Sequence, residues 1–379
     1  MRIFENTNVD FIGKRKAAYI FSGTLIILSL LSLLFRGLEL GIDFKGGTEI
    51  ALEFEKPIDV SEIRTFLDEL ELGNIEVKTF GGETGILVRS ELQEIPSELF
   101  PKVVDRIESI MKKNFPELSF EQTNITTTSV TYDVKNSEIT DQLVDRLFKA
   151  GFQATKFSEE PTNTQIIVRV GIADWVQENL HERMPDNNFS VLKEDQVGPK
   201  IGNELKRDAV IAVLLALVVI LVYLGFRFKF VFALGAVAAL FHDVLITLGM
   251  FSLLYNVIPG LNLDISVNIV AAFLTLVGYS INDTVIVFDR IRENIKIHKT
   301  DAIQNNINKA INRTIPRTII TSVTTLVVVG VLLFFGGEVL RGFAFTLFFG
   351  ILIGTYSSVF VASPFVLEYA KRSKKNIQF

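Results

Sequence analysis

An aspartate lies inside a long apolar run in the second half of the chain. Asp283 stands in the segment VGYSINDTVIVFDRIREN, and the apolar run around it extends from Ile265 to Phe288. A charged carboxylate at the centre of a bilayer costs roughly 2.5 to 3.5 kcal/mol, so an ionisable residue there usually marks an ion site. Because Ser280 and Asn282 make the same half of this helix polar, we expect Asp283 to face other helices rather than lipid.

The next apolar run begins with a polar stripe. Arg317, Thr321 and Thr324 are spaced i, i+4, i+7, which predicts one face of a helix, and the spacing favours an ion pair between Arg317 and Asp283. Such a pair can simply hold two helices together. It can also transfer a proton, because desolvation favours the neutral acid whereas a nearby guanidinium favours the carboxylate.

Sodium is the alternative to a proton at this position. Asn282, Thr275 and Thr321 carry oxygen atoms of the kind that bind a hard cation, and we expect them near Asp283. The sequence leaves H⁺ and Na⁺ both open.

Other candidate residues have two interpretations each. His242 and Asp243 are either a hydrogen-bonded pair buried between helices or members of a relay. Asp43, Gly46 and Gly47 form either a simple turn into a strand or a hinge, since adjacent glycines permit positive φ angles.

Several familiar chemistries are excluded. The chain has no G-x-x-x-x-G-K-[ST] loop, no G-x-S-x-G motif and no cysteine, and its three histidines lack metal-ligand spacing. We therefore predict a protein that is not an enzyme, has no metal site or cofactor, and does not hydrolyse ATP. The net charge of −5 gives no reason to expect nucleic-acid binding.

The elements that must position these residues are membrane helices. The chain is 49% hydrophobic and 21% charged, which indicates both a membrane part and a water-exposed part. Six runs are long enough to span about 30 Å of hydrocarbon. They are Ala17 to Phe35, Ala209 to Phe226, Phe230 to Tyr255, Ile265 to Phe288, Thr318 to Phe335 and Phe343 to Leu367. The first run lacks a small-x-small cleavage site, so we interpret it as a retained helix rather than a signal peptide.

Basic residues predict the orientation of these helices. Lys and Arg concentrate before the first run, between the second and third, from Arg290 to Arg317, and in the C-terminal KRSKK, whereas the NVIPGLNLD connection has none. By the positive-inside rule both termini are cytoplasmic and the long polar interval lies outside. The predicted organisation is a cytoplasmic N-terminus and first helix (1–36), an outer domain (37–207), a five-helix bundle (208–370) with a cytoplasmic connection (289–316), and a basic tail (371–379).

The outer interval contains an internal repeat. Residues 61–90 and 137–170 share a helix, a strand ending in KTF or TKF, a polar turn and a strand ending in VR. Each copy continues into a further helix and strand, so the order is β-α-β-β-α-β twice, which is typical of a ferredoxin-like fold. We predict two ferredoxin-like units, at about 44–125 and 126–198. The fold class is therefore a membrane α-helical bundle, one helix plus five, with an outer α+β ferredoxin-like domain that is duplicated unless the match between the two stretches is due to chance.

Five linked motifs carry a family resemblance. They are GIDFKGGTEI (41–50), VGPKIGNELKRDA (197–209), FHDVLITLG (241–249), VGYSINDTVIVFDRIREN (277–294) and INRTIPRTIITSVTTL (311–326). In this order the chain resembles the SecF family of bacterial protein-export subunits, within the resistance-nodulation-division superfamily. Three departures are an outer domain larger than one ferredoxin-like unit, Lys45 in the DFxGG motif, and Pro316 before the arginine.

The resemblance implies partners, a location and an ion-driven role. It implies pairing with SecD in the bacterial inner membrane, and work with the SecYEG translocon and the SecA motor, with YajC and YidC as further partners. It also implies unfolded preprotein as the substrate, and a proton or sodium gradient as the energy source. The alternative is half of a resistance-nodulation-division-type efflux pump for small molecules or lipids; such pumps usually carry two halves in one chain, whereas this chain holds one.

Overall fold

A computed structural model describes residues 8–258 and 261–372 of the chain. Two residues of the NVIPGLNLD connection and residues 373–379 of the predicted basic tail lie outside the described residues. The first part of the chain forms α1 (Arg15–Phe35), α2 (Ile42–Lys45), β1 (Gly47–Phe54), α3 (Val60–Asp68), β2 (Ile75–Thr79), β3 (Gly85–Ser90), α4 (Phe100–Asn114), β4 (Glu121–Ile125), β5 (Ser129–Asp133), α5 (Thr140–Lys149), β6 (Ala154–Lys156), β7 (Gln165–Arg169), α6 (Ile172–Arg183) and β8 (Phe189–Val197). The rest is helical: α7 (Pro199–Arg227), α8 (Phe230–Leu254), α9 (Val267–Ile297), α10 (Ile303–Phe335), α11 (Glu338–Ser357), a π-helical segment (Ser358–Ala362) and α12 (Ser363–Arg372).

Six helices among the described residues are long and apolar enough to cross a membrane, which confirms the one-plus-five pattern. They are α1, α7, α8, α9, α10 and the continuous segment from α11 to α12. The structure differs between the fourth and fifth spans. Residues 289–316 were predicted as a separate connection, but α9 continues to Ile297 and α10 begins at Ile303, so only a short turn separates them. Hydropathy marks where apolar residues end, whereas a helix continues as long as its backbone bonds are made.

The chain divides into two compact units. One comprises residues 1–41 and 205–379, and the other comprises residues 42–204. In the first unit, α8 and the segment from α11 to α12 are the most buried spans, whereas α7 is almost entirely exposed. Each of α8, α9 and α11 contributes buried polar residues to the interior of this unit, among them Asp243, Asp283 and Ser357.

The N-terminal segment is attached to one end of the helical unit, and we call residues 9–12 the N-terminal strap. The side chains of Asn308 and Asn312 in α10 both donate to the Val9 carbonyl oxygen. They also accept from the backbone of the strap, at 2.9 Å from Val9 N and 2.9 Å from Phe11 N. The strap thus brings the start of the chain to the same end of the bundle as the first turns of α10.

The second unit contains two four-stranded antiparallel sheets. Their strand orders are β2-β3-β1-β8 and β4-β5-β7-β6. Each sheet has the order expected for a ferredoxin-like fold, and one apolar core, from Ile50 to Leu180, is shared by both. The prediction of a duplicated ferredoxin-like domain is confirmed at the level of fold class.

The predicted limits of the two ferredoxin-like units are wrong. We predicted units at about 44–125 and 126–198, in which β4 would complete the first sheet and β8 the second. Instead β8 pairs with β1, and β4 pairs with β5. The first unit is thus closed by the last strand of the domain, and the second unit, from α4 to β7, is inserted within it as a circular permutation of the same fold.

A buried ion cluster supports the pairing of β8 with β1. Glu49 on β1 lies 2.6 Å from Arg89 on β3 and 2.9 Å from Lys193 on β8. Burial alone raises the pKa of the Glu49 carboxyl, but Arg89 and Lys193 hold the pKa below its ordinary value. Because Glu49 is only 5% exposed, removing either cation leaves a buried carboxylate with less compensation.

Candidate ion-coupling site

Asp283 lies in the interior of the helical unit. Its side chain is buried, and the Ser322 hydroxyl of α10 donates to its Oδ2 at 3.3 Å. Ser322 is in turn 2.7 Å from the Thr355 hydroxyl of α11. Asp283 is therefore linked to two neighbouring helices through neutral hydroxyl groups.

The predicted ion pair between Asp283 and Arg317 is absent, although both residues are described. No hydrogen bond or salt bridge joins them, and Arg317 acts on Asp283 only through its electrostatic field. The Arg317 side chain is exposed, because Arg317 and Ser322 are five residues apart and so point about 140° apart around the helix.

A second polar stripe on α10 faces the interior instead. Thr314, Thr318 and Ser322 are all buried and are spaced i, i+4, i+8. Sequence reasoning selected the neighbouring stripe because that one begins with a charged residue. The i, i+4, i+8 spacing of three hydroxyl residues was the available signal for the correct face.

The other predicted ligands of Asp283 also point away from it. Asn282 and Thr321 are exposed, and the Thr321 hydroxyl donates to the backbone oxygens of Arg317 and Thr318. Thr275 is exposed as well, and its hydroxyl donates to the Ala271 oxygen. A sodium site built from Asp283, Asn282, Thr275 and Thr321 is therefore not assembled in this structure.

His242 and Asp243 form the centre of a second polar network. Asp243 is 1% exposed, and its Oδ2 accepts from the Ser280 hydroxyl at 2.7 Å and the Ser357 hydroxyl at 2.8 Å. Its Oδ1 lies 2.9 Å from His242 Nδ1. The structure thus brings the predicted pair together and adds two serines that the sequence analysis did not select.

The network extends to α1 through the second nitrogen of the imidazole ring. His242 Nε2 lies 3.1 Å from the Ser22 hydroxyl, which lies 3.1 Å from the Tyr356 hydroxyl. Tyr356 donates to the backbone oxygen of Ala18 at 3.0 Å. Neither Ser22 nor Tyr356 was identified from sequence, because single hydroxyl residues in apolar helices carry no distinctive spacing.

Close helix packing brings these groups together. A Cβ atom at Gly354 of α11 would lie 3.0 Å from Ser280 Cβ and 3.4 Å from Asp243 Oδ2, so only glycine fits without displacement. Gly354 is followed by the π-helical segment, which leads to Pro364. Segments of π-helix often occur at functional sites.

The residues predicted as a turn or hinge lie in the other unit. Asp43 is in α2, and Gly46 and Gly47 connect α2 to β1 with φ angles of 81° and 119°. A Cβ at Gly46 would lie 3.0 Å from Pro199 Cα, and one at Gly47 would lie 2.2 Å from the Ser90 oxygen. The close approach of the backbone and the left-handed conformation both require glycine at these positions. A simple turn into β1 therefore accounts for the two glycines, and no hinge is needed.

The combination of six candidate membrane helices, buried carboxylates between them and a duplicated ferredoxin-like domain defines a multi-pass membrane protein of the transporter type. Two family models match the chain: Protein export membrane protein SecD/SecF, C-terminal, over residues 176–372, and SecD/SecF GG Motif over residues 31–58. The second match includes Gly46 and Gly47.

Individual relatives agree with these matches. The Protein translocase subunit SecF of Rhodothermus marinus is 43% identical over 98% of this chain and 97% of its own length. The SecF subunit of Koribacter versatilis is 36% identical over 97% of this chain and 93% of its own length. The crystal structure of SecDF from Thermus thermophilus, a translocon-associated membrane protein, matches with a TM-score of 0.68 and 30% identity over 97% of this chain. This chain corresponds to 39% of that longer one.

The chain belongs to the SecF family of protein translocase subunits. It is a multi-pass membrane protein, and family membership makes it an accessory subunit of protein export rather than half of an efflux pump or a catalytic enzyme. Its similarity to one part of SecDF supports SecD as its partner.

Proposed function

We propose that this SecF-family subunit couples export of preproteins on the periplasmic side to the proton or sodium gradient, with Asp283 as the ion-binding residue. The observation that carries the proposal is the burial of Asp283 between α9, α10 and α11 with a hydroxyl as its hydrogen-bond partner. When a buried carboxylate binds or releases a cation, its charge changes and the local electrostatic energy changes by a large amount. Coupling requires such a change, because ion binding must alter the energy of the protein's conformation. Arg317 contributes a positive field from outside that pocket.

The partner is SecD, and the SecYEG translocon with SecA completes the proposed assembly, with YajC and YidC as further members. A polar face on α9 and α10 supports the need for a second membrane subunit. Its exposed residues are Thr275, Gly278, Asn282, Arg317, Thr321 and Thr324. These residues lie within or at the end of membrane spans, where exposure to lipid is costly, so a partner helix that covers them is favoured.

The proposed orientation places both termini in the cytoplasm of a bacterial inner-membrane protein, with residues 42–204 in the periplasm. The N-terminal strap and the first turns of α10 meet at one end of the bundle. Arg15 in α1 also contacts Glu368 in α12, at 3.0 Å, so both ends of the described chain lie near that end. The concentration of basic residues there supports a cytoplasmic location.

The test is gradient-stimulated export in vesicles that contain this protein with its SecD partner, the translocon and SecA. Asp283→Asn keeps the size of the side chain but cannot release a proton, so we expect SecD binding to persist and stimulation by the gradient to fall at least tenfold. Export driven by ATP alone should stay within about twofold of the parent. The matched control is Asp289→Asn, which changes an exposed aspartate six residues further along α9.

Full gradient stimulation in Asp283→Asn would remove Asp283 from the coupling mechanism. The assay is repeated on the parent protein with a pure proton gradient and with a pure sodium gradient. Only the gradient of the coupling ion should stimulate export, so the comparison identifies the ion.

A further inference from the structure

A second carboxylate, Asp243 on α8, is also buried within the membrane spans. Across residues 8–258 and 261–372, no Lys or Arg makes a hydrogen bond or ion pair with Asp243; its partners are His242, Ser280 and Ser357. An unpaired carboxylate in a membrane span is costly, so the protonation state of this network needs an explanation. The hydrogen-bond donors and acceptors of the network determine where its protons lie.

The Tyr356 hydroxyl fixes the direction of the first bonds. Tyr356 has one hydroxyl hydrogen, and it donates to the Ala18 carbonyl oxygen, which can only accept. The hydrogen between Tyr356 and Ser22 must therefore come from Ser22. Since Ser22 also has only one hydrogen, the bond between Ser22 and His242 must be donated by Nε2–H of the imidazole.

This assignment leaves one proton to be placed at the other end of the ring. His242 Nδ1 and Asp243 Oδ1 are 2.9 Å apart and cannot both be acceptors without a hydrogen between them. Either His242 is an imidazolium beside a carboxylate, or it is a neutral ring beside a carboxylic acid. Both forms have zero net charge, which removes most of the cost of an isolated charge in the membrane.

We propose that His242 and Asp243 hold one proton between them and form a second proton-carrying site, coupled to Asp283 through the hydroxyl groups of α9, α10 and α11. The coupling to Asp283 rests on the proposed function. The protonation of the pair does not. Proximity along two helices supports the coupling. Ser280 lies three residues before Asp283 on α9, about 4.5 Å along the helix axis. Ser357, the other donor to Asp243, lies two residues after Thr355, which contacts the Ser322 partner of Asp283.

Loss of this proton would reverse the chain of hydrogen bonds. The carboxylate of Asp243 would then accept from Nδ1–H, Ser22 would donate to Nε2, and Tyr356 would donate to Ser22. Tyr356 has no second hydrogen, so its bond to the Ala18 oxygen would break. Occupancy of the site by a proton is thereby linked to the contact between α1 and the end of α11.

The ionisable groups around the pair come from four packed elements. Asp283 lies on α9, three residues after Ser280, and Tyr356 lies on α11, while Arg15 of α1 and Glu368 of α12 pair with each other at the end of the bundle. Neither of the last two contacts Asp243. Changes in pH therefore act on the pair mainly through its own proton.

The direct test is nitrogen-15 NMR of histidine in the full-length protein in lipid bilayers. The chain has three histidines, so His181→Gln and His298→Gln identify the signals of His242. At pH 7 we expect Nε2 to be protonated and Nδ1 to show a proton shared with a carboxyl group. An Nδ1–H tautomer with an unprotonated Nε2 would overturn the proposal, because the pair would then hold no additional proton.

Tyr356→Phe tests the direction of the chain. Without the tyrosine hydroxyl, the Ser22 hydrogen is free to donate to Nε2, so the fraction of the Nδ1–H form should rise. Tyr223→Phe, which changes an exposed tyrosine on α7, is the control and should leave the His242 signals unchanged. Identical His242 signals in the Tyr356→Phe variant and the parent would contradict the assigned bond directions.

Asp243→Asn separates this inference from the function proposed for Asp283. The amide cannot share the proton, so we expect at least a tenfold loss of gradient-stimulated export while the SecD complex still forms. Retention of full stimulation in Asp243→Asn would overturn the coupling role of the pair, even if Asp283→Asn abolishes stimulation. Conversely, full activity of Asp283→Asn would contradict only the proposed role of Asp283. The NMR experiment would still test whether His242 and Asp243 share a proton.

Discussion

At the scale of single residues, the two buried carboxylates within the membrane spans contact small hydroxyl side chains rather than arginine. Asp283 contacts Ser322, and Asp243 contacts Ser280 and Ser357. Serine donates a hydrogen bond without filling the space between helices, so the helices can pack closely around an acid. The sequence could locate Asp283 in a span, but it could not identify Ser322, because a five-residue difference from Arg317 changes the helix face completely.

The Gly354→Ala substitution tests how far stability and export depend on this close packing of helices. In Gly354→Ala the new methyl group would press on Ser280 and Asp243, and we expect a loss of stability of about 1 to 3 kcal/mol. Gradient-stimulated export should fall in the same variant, because the Asp243 contacts shift. Gly225→Ala is the matched control, since a Cβ at Gly225 meets nothing within 4 Å.

Thermal unfolding in detergent and the export assay provide the two measurements for Gly354→Ala. Equal unfolding temperatures in the Gly354→Ala and Gly225→Ala variants would mean that the helices adjust freely around position 354.

At the scale of secondary-structure elements, the repeat was predictable and the pairing of its strands was not. The alternating apolar positions of β1 and β5 indicate which side chains of these strands enter the core, whereas no residue of β4 or β8 is buried. They do not identify the neighbouring strand, because both sheets present similar apolar faces and each needs one further strand. In the structure β8 rather than β4 pairs with β1, an exchange relative to the prediction, and contacts between residues distant in sequence, such as Glu49 with Lys193, stabilise this pairing.

A cysteine pair tests the exchange directly, because the natural chain contains no cysteine. Thr48 of β1 and Gln196 of β8 are directly opposite each other in the sheet. We expect Thr48→Cys with Gln196→Cys to form an internal disulfide on mild oxidation, since opposite strand residues have a suitable Cα separation. Reduced and oxidised samples can be distinguished by gel mobility and mass spectrometry.

The control combines Thr48→Cys with Gln122→Cys in β4, which the unexchanged arrangement would place in the same sheet as β1. Efficient cross-linking of that control pair, and none in the Thr48 and Gln196 pair, would show that β4 rather than β8 closes the first sheet.

At the scale of the whole molecule, the polar face on α9 and α10 indicates how this subunit assembles. The six spans and their order followed from length and hydropathy alone. The side on which Arg317, Asn282 and Thr321 face could not be predicted, because sequence spacing places residues on one face without saying whether that face points inward. In the structure they are exposed together, so they are available for contact with the proposed partner and are not ligands of Asp283.

Bulk introduced on this face should interfere with assembly. We expect Thr321→Trp to reduce co-purification of the SecD partner at least fivefold, because the larger ring prevents close approach of another helix. Val218→Trp, at an exposed position on α7, is the matched control and should have little effect. Tagged subunits purified in mild detergent give the measurement, and equal recovery of SecD with both variants would place the interface elsewhere.

The N-terminal strap sets a condition on the timing of biogenesis. Val9 bonds to Asn312, which is 303 residues later in the chain. At a synthesis rate of roughly 5 to 20 residues per second, the ribosome needs about 15 to 60 seconds to make the intervening residues. During that interval the strap has none of its α10 partners, so it is among the last parts of the helical unit to reach its final position.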